Sequence, residues 1–232
     1  MPSPGRLPRR AFLTAAAAGV GGVVAASWRS GGRTAPPDER SLVLVDLAGG
    51  NDGLGTVVPA GDERYRRLRG RLALDRAEVR RLAPGVGLHP ALPRLADRFA
   101  AGGLAIVEGV GSTPAPRTHE EAADAADAVE VDPVRTGWLG RLADGGLGPG
   151  RAPALVSLGA EPPPAFAARG GVSAALGVVP ERRASFAEAL DRVADRIAAR
   201  AAARVHHVRL PGFDTHAQQA HRHARLLAEL DR

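Results

Sequence analysis

Apolar residues along this chain recur with two periods, and the switches between them outline the elements. Residues 41–47 (SLVLVDL) form a short β-branched apolar run closed by Gly49-Gly50, which predicts a buried strand. Residues 62–70 are charged and predict a helix. In 91–101 (ALPRLADRFAA), Leu92, Leu95 and Phe99 repeat at helical spacing and Gly102-Gly103 marks the stop. Residues 104–108 (LAIVE) predict a second strand ending at Gly109. Alanine-rich, acidic residues 119–129 and amphipathic residues 135–144 follow. A third strand is predicted at 154–158 (ALVSL), a long helix at 181–203, a fourth strand at 204–210 (RVHHVRL), and a last helix from near Thr215.

Strands alternating with helices imply βαβ units, so the expected fold is α/β, a mostly parallel sheet flanked by helices. Polar, glycine-marked segments fall just after the strands: GGNDG after the first, GVGSTPAPRTH after the second and PGFDTH after the fourth. In an open parallel sheet these ends share one edge, where ligands bind. Asp52, Thr118, His119, Asp214 and His216 are therefore expected near one another despite their separation in sequence.

The amino terminus breaks this pattern. Residues 8–28 join the pair Arg9-Arg10 to Phe12-Leu13, an uncharged Ala/Gly/Val run and the small residues Ala25, Ala26 and Ser27. The run is shorter than the roughly 18 residues of a spanning helix, and the combination reads as a twin-arginine export signal over 1–28. An uncleaved membrane anchor is the alternative. On the signal reading, the twin-arginine translocation machinery is a partner, the chain is exported to the periplasm, cell wall or exterior, and no stable membrane span remains after cleavage. Residues 29–40 read as a linker and 41–232 as the folded domain, long enough for one sizeable core.

Charge adds little. All 31 basic residues are arginine and the net charge is +6, but residues 1–37 carry five arginines and no acid, leaving +1 for the remainder. No basic block or aromatic–basic interleaving is left, which argues against a nucleic-acid partner. The absence of cysteine excludes disulfides and thiolate metal sites.

The segment GFDTHAQQAHRHARLL carries the candidate chemistry: Asp214, His216, His221 and His223. It does not make a metal site alone. Spacings of five and two residues rotate side chains by about 140° and about 200° on a helix, and His216 and His223, which share a face, stand about 10.5 Å apart along the axis. His221 and His223 therefore read as solvated helix positions. Asp214 and His216 sit at a strand end and suit either one cation or a helix start, since Thr215-x-x-Gln218 fits a capping box. His206 and His207 alternate within the fourth strand and read as structural. Asp52 is either an ordinary turn aspartate or a ligand beside glycines that allow close approach. Thr118, between Arg117 and His119, is either a helix cap or a hydroxyl beside an anion-binding arginine.

Taken in order, LVLVDLAGGNDGLGTVVPAGDERYRRLRGRLAL, LHPALPRLADRFAAGGLAIVEGVG, PRTHEEAADAAD, TGWLGRLAD and GFDTHAQQAHRHARLLAELD resemble one family over residues 41–232, the exported bacterial proteins called domain of unknown function 1501. GGNDG with VVP, and GFDTH with its downstream Gln, are the most specific pieces. The family looks related to the alkaline phosphatase and sulfatase superfamily, whose members hold one or two divalent metals between helix-flanked strands and cleave phosphate or sulfate esters. The resemblance implies an alkaline-phosphatase-like fold. It also implies a divalent metal such as zinc or calcium on Asp52, Asp214 and His216, and a nucleophile region at Arg117, Thr118 and His119.

Thr118 stands where members often have Ser, and Gly55 where Asn is usual. Members continue past the GFDTH helix with further strands, a Ser-Glu-Phe-Gly-Arg-like stretch and an Asp-His pair. The helix reaching Arg232 has no Gly or Pro stop, so a C-terminally incomplete member is expected. Two function classes remain: a metal-dependent hydrolase-like enzyme, or a non-catalytic exported binding or assembly protein, including a truncated inactive family member.

Overall fold

Leu42–Ala48 forms β1, and its neighbour in the sheet is a strand more than 150 residues away, β8 (Val205–Pro211). The two run parallel in an unbroken register from Leu42 opposite Val205 to Ala48 opposite Pro211. On the far side of β8 lies β7 (Leu155–Leu158), also parallel, with Leu155 opposite Val205 and Leu158 opposite Val208. The order is β1-β8-β7. The computed structural model describes residues 40–127, 130–131, 135–144, 155–158, 162–169, 184–201 and 203–232. These lie in one compact unit, Pro37–Arg232. The export signal read at 1–28 and the linker up to residue 39 lie outside the described residues.

The remaining elements follow in chain order. A one-turn helix α1 (Gly53–Thr56) and β2 (Val57–Val58) lead into α2 (Glu63–Arg69), β3 (Arg80–Ala83), β4 (Val86–Leu88) and α3 (Pro93–Ala100). Then come α4 (His119–Ala126), β5 (Glu130–Val131), β6 (Arg135–Thr136), α5 (Trp138–Asp144), α6 (Phe186–Ala198) and α7 (Gln219–Leu230). Strands β2, β4 and β3 pair antiparallel in a small second sheet, and β5 pairs with β6. The hydrophobic pattern did not predict these strands. At two to four residues each, they are too short for a period of two to register.

Alternation along the parallel strands sorts side chains to two faces. On one face, Val156, Leu158, Val208 and Leu210 are buried with Phe186, Ala189 and Val193 of α6, Leu227 of α7 and Leu88 and Leu92 around α3. On the other, Leu155 and Val205 are buried with Leu139 of α5 and Phe166. The sheet is covered on both faces, and each fully buried aliphatic side chain contributes about 1.5–3 kcal/mol. The fold is thus mixed α/β with a three-stranded parallel sheet, as the alternating pattern implies.

Helix ends are fixed by short polar contacts. Ser185 and Glu188 form a capping box at the start of α6. The first turn of α3 has Pro93 but no side-chain cap of its own. Asp231 at the end of α7 supplies one, accepting hydrogen bonds from Arg94 N at 3.0 Å and Leu95 N at 2.9 Å. This ties α7 to α3.

Three sequence expectations need correction. Residues 104–108 form no strand: Ile106 packs against the first core, but Val107 is 63% exposed, and the segment pairs with no strand among the described residues. Its strand propensity therefore has no ladder to join. The last helix begins at Gln219 and not near Thr215. Gln218 takes a left-handed conformation (φ +54°) at the entry and no side chain caps the first turn, so the expected capping box is not formed. Third, His221 is exposed but His223 is buried.

The imidazoles of β8 make the fold sensitive to acid. His206 and His207 are both fully buried. His207 Nδ1 lies 2.8 Å from Ser157 Oγ, and burial pushes its pKa down to about 4. Burial, with Arg196 adding to it, also lowers His206. In the unfolded chain both regain the ordinary value of about 6.5, so between about pH 4 and 6.5 the unfolded state binds more protons. Stability is then fully present above that window and falls on acidification through it. Urea midpoints measured from about pH 7.5 down to about pH 5 are expected to decline steadily. A flat profile would contradict neutral, buried imidazoles.

Candidate functional site

The carboxyl ends of β1 and β8 are adjacent because the strands are parallel and in register. The pairing runs on past the strands: Phe213 N donates to Ala48 O at 3.1 Å. The Gly49-Gly50 turn therefore lies against the Phe213-Asp214 loop. Both glycines have positive φ, +108° and +88°. A Cβ on Gly49 would stand 2.8 Å from Asp214 N, and one on Gly50 would stand 2.6 Å from His119 Cε1. Two bare glycines thus let the Asp214 loop and the His119 ring approach the end of β1.

This brings together His119 at the first residue of α4 with Asp214 and His216 from the loop after β8. Their ligand atoms all lie within 4.8 Å of one another. His216 Nε2 is 2.7 Å from Asp214 Oδ1, and His119 Nε2 is 3.5 Å from the same oxygen. All three side chains are open to solvent, His216 most of all at 82%.

The donor set suits a divalent cation. Two imidazoles and a carboxylate match the three protein ligands of open catalytic sites, with solvent in the next position. Ligand atoms on a tetrahedral zinc, with bonds of about 2.0–2.1 Å, stand roughly 3.3 Å apart. The His119–Asp214 separation is already close to this. The His216–Asp214 pair is at hydrogen-bond length and has to open by about half an ångström.

Asp52, expected at the same edge, belongs to a second, half-buried cluster. Its carboxylate accepts from Gly55 N at 3.0 Å as the cap of α1, pairs with the Arg69 guanidinium, and accepts from Gln219 Nε2 at 2.7 Å. Next to it, Asn51 Oδ1 lies 2.9 Å from His223 Nε2 and accepts from Thr56 Oγ1 at 3.1 Å. His89 meets His223 edge-on at 5.8 Å. Asp52, Gly55, Arg69, His89, Gln219 and His223 line a cavity of about 70 Å³, and Arg69 Nε is buried there without a hydrogen-bond partner. Burial lowers the pKa of His223, with Arg69 lowering it further and Asp52 opposing. Burial and then His223 lower that of His89.

Helix α7 thus clamps the GGNDG turn through Gln219 and His223. The sequence reads His223 as solvated and does not single out Gln219. The signal was present in their spacing of four, which puts two side chains on one helix face, but only histidine pairs were tested for it. Arg69 carried no comparable signal among its neighbouring arginines. Thr118 is the cap of α4, its Oγ1 accepting from Glu121 N at 3.0 Å, and Arg117 N donates to Glu121 Oε2 at 2.6 Å. Both stand beside His119 in the chain.

Gly50→Ala is expected to cost about 1–2 kcal/mol for the positive φ alone and, by displacing His119, to weaken zinc binding by roughly tenfold or more. Gly53→Ala, whose Cβ meets nothing within 4 Å, is the control and should leave both properties unchanged. Urea unfolding and zinc calorimetry on the two variants read this out.

Comparison with protein-family models, curated proteins and solved structures finds no match for this chain.

Proposed function

We propose that the chain is an exported protein whose domain binds a divalent metal, zinc by preference, in the manner of the metal-dependent phosphate and sulfate ester hydrolases, with an alkaline-phosphatase-like fold. The observation that carries this reading is the convergence of His119, Asp214 and His216 within 4.8 Å beside a glycine turn, at the carboxyl edge of a parallel sheet. A metal held there would act as a Lewis acid on an ester oxygen and acidify a bound water. The chain's own groups orient the anion: Arg117 supplies positive charge and Thr118 a hydroxyl next to His119. On this reading Asp52 acts indirectly. Held by Arg69, Gln219 and Gly55 N, it fixes the turn against which His119 rests.

Export rests on the twin arginines and uncharged run of residues 8–28. Among the described residues no helix is long and apolar enough to cross a membrane. A second reading, a non-catalytic exported binding or assembly protein, has its own support. The Thr118 hydroxyl is engaged as a helix cap, and all three residues of the trio lie open to solvent.

Zinc titration and turnover of aryl phosphate and aryl sulfate test the proposal together. The wild-type chain is expected to bind zinc and cleave one of the esters, while Asp214→Ala loses affinity by roughly a hundredfold or more and activity with it. Equal zinc binding by both proteins sinks the assignment of the trio. Zinc binding without turnover of either ester selects the non-catalytic reading.

A further inference from the structure

A groove of about 570 Å³ is lined by the residues that directly follow the Gly49-Gly50 turn. One wall is the segment Asn51–Leu54 with Val57 and Pro59, and the other is Ile106–Val110. Asn51 follows Gly50, the residue on which the His119 ring rests, so the groove starts about one Cα spacing, roughly 3.8 Å, from the turn that supports the trio. Its sides carry large apolar groups left in solvent: Leu54 is 52% exposed, Val107 63% and Val110 80%. Scattered exposed aliphatics need no explanation, but several lining one concave surface beside a ligand site do. The charge is asymmetric. Asp52 is paired with Arg69, and Glu108 is the other acid of the lining. A second anionic group on the ligand would meet Glu108, whereas an apolar one would cover Leu54 and Val107.

We infer that this groove receives the organic portion of the ligand, so that the site takes amphiphilic monoesters: one phosphate or sulfate head at the trio and an alkyl or aryl group along Leu54, Val107 and Val110. This deepens the proposed function and rests on it. It makes inorganic phosphate and small polar esters poor ligands. It also gives the exposed 104–110 segment a task that membership of the sheet would not.

The test compares octylphosphonate with methylphosphonate, which share a head group and resist hydrolysis, by calorimetry on the full chain with and without zinc. The wild-type, zinc-loaded chain is expected to bind the octyl compound at least tenfold more tightly. Val107→Asn and Leu54→Asn, both at solvent-exposed positions, should remove that advantage and leave zinc affinity and methylphosphonate binding unchanged. Far-ultraviolet circular dichroism checks that the variants remain folded. Equal affinity for the two compounds, with methylphosphonate still zinc-dependent, overturns the groove while leaving the metal site standing. Octyl binding that is indifferent to zinc overturns the link between groove and trio. Failure to bind zinc at all overturns the proposed function and this inference together, and is recognised before either phosphonate is added.

Discussion

Seven rungs of parallel pairing between β1 and β8 hold the rest of the molecule in place. The two strands lie at opposite ends of the described chain, so their contact closes a very long loop. Closing it grows only logarithmically more costly with length. The return comes from burial: β8 is the central strand, and Val205, His206, His207, Val208 and Leu210 are all buried on its two faces. Because the strands are parallel, the pairing also fixes which loops meet. The turn after β1 and the loop after β8 emerge side by side, and the approach of Asp214 to the Gly49-Gly50 turn depends on that register. A slip by one residue would turn Val208 and Leu210 from one core toward the other and carry Asp214 away from the Gly49-Gly50 turn.

Around this pairing the structure uses polar contacts where shape has to be exact to a fraction of an ångström. Gln219 and His223 reach from one face of α7 to Asp52 and Asn51, while Asp231 at the other end of the same helix caps α3. One helix therefore braces both the glycine turn and the helix before the 104–110 segment. The two histidine clusters have different surroundings in consequence. The buried ring of His223 is matched to neutral partners and has its pKa pushed down by burial. The rings of His119 and His216 stand in solvent beside a carboxylate, where they remain free to meet a ligand.

The parallel strands were legible in the sequence because SLVLVDL and ALVSL are short, mostly apolar runs and RVHHVRL sets Val208 and Leu210 on one face, each with glycine or proline close by, and the meeting of the loops after the first and the last followed from that. LAIVE has the same composition, yet no ladder forms there: propensity describes what a segment tolerates, and pairing needs a partner. His223 was misjudged for a related reason. Helical geometry correctly separates it from His216, but says nothing of what packs against its face. That depends on the GGNDG turn arriving from the other end of the chain. His119 was expected beside Asp214 and His216 as following a strand at 104–108, which is not formed. The bare backbone of Gly50, which admits the ring, gives it a location. The glycine-rich setting of Asp52 left it either a turn aspartate or a ligand, and the resemblance implied a ligand; the partners that occupy it, Arg69 and Gln219, come from two helices that sequence alone could not orient.

The central claim is that β1–β8 pairing assembles a three-residue metal centre from His119, Asp214 and His216. X-ray absorption at the zinc edge of the zinc-loaded chain tests it most directly. The account predicts a four-coordinate ion with two imidazole nitrogens, one carboxylate oxygen and one water at about 2.0–2.1 Å, and the loss of one imidazole in His119→Ala. A six-coordinate spectrum made of oxygen ligands alone, or a spectrum unchanged in His119→Ala, would contradict it.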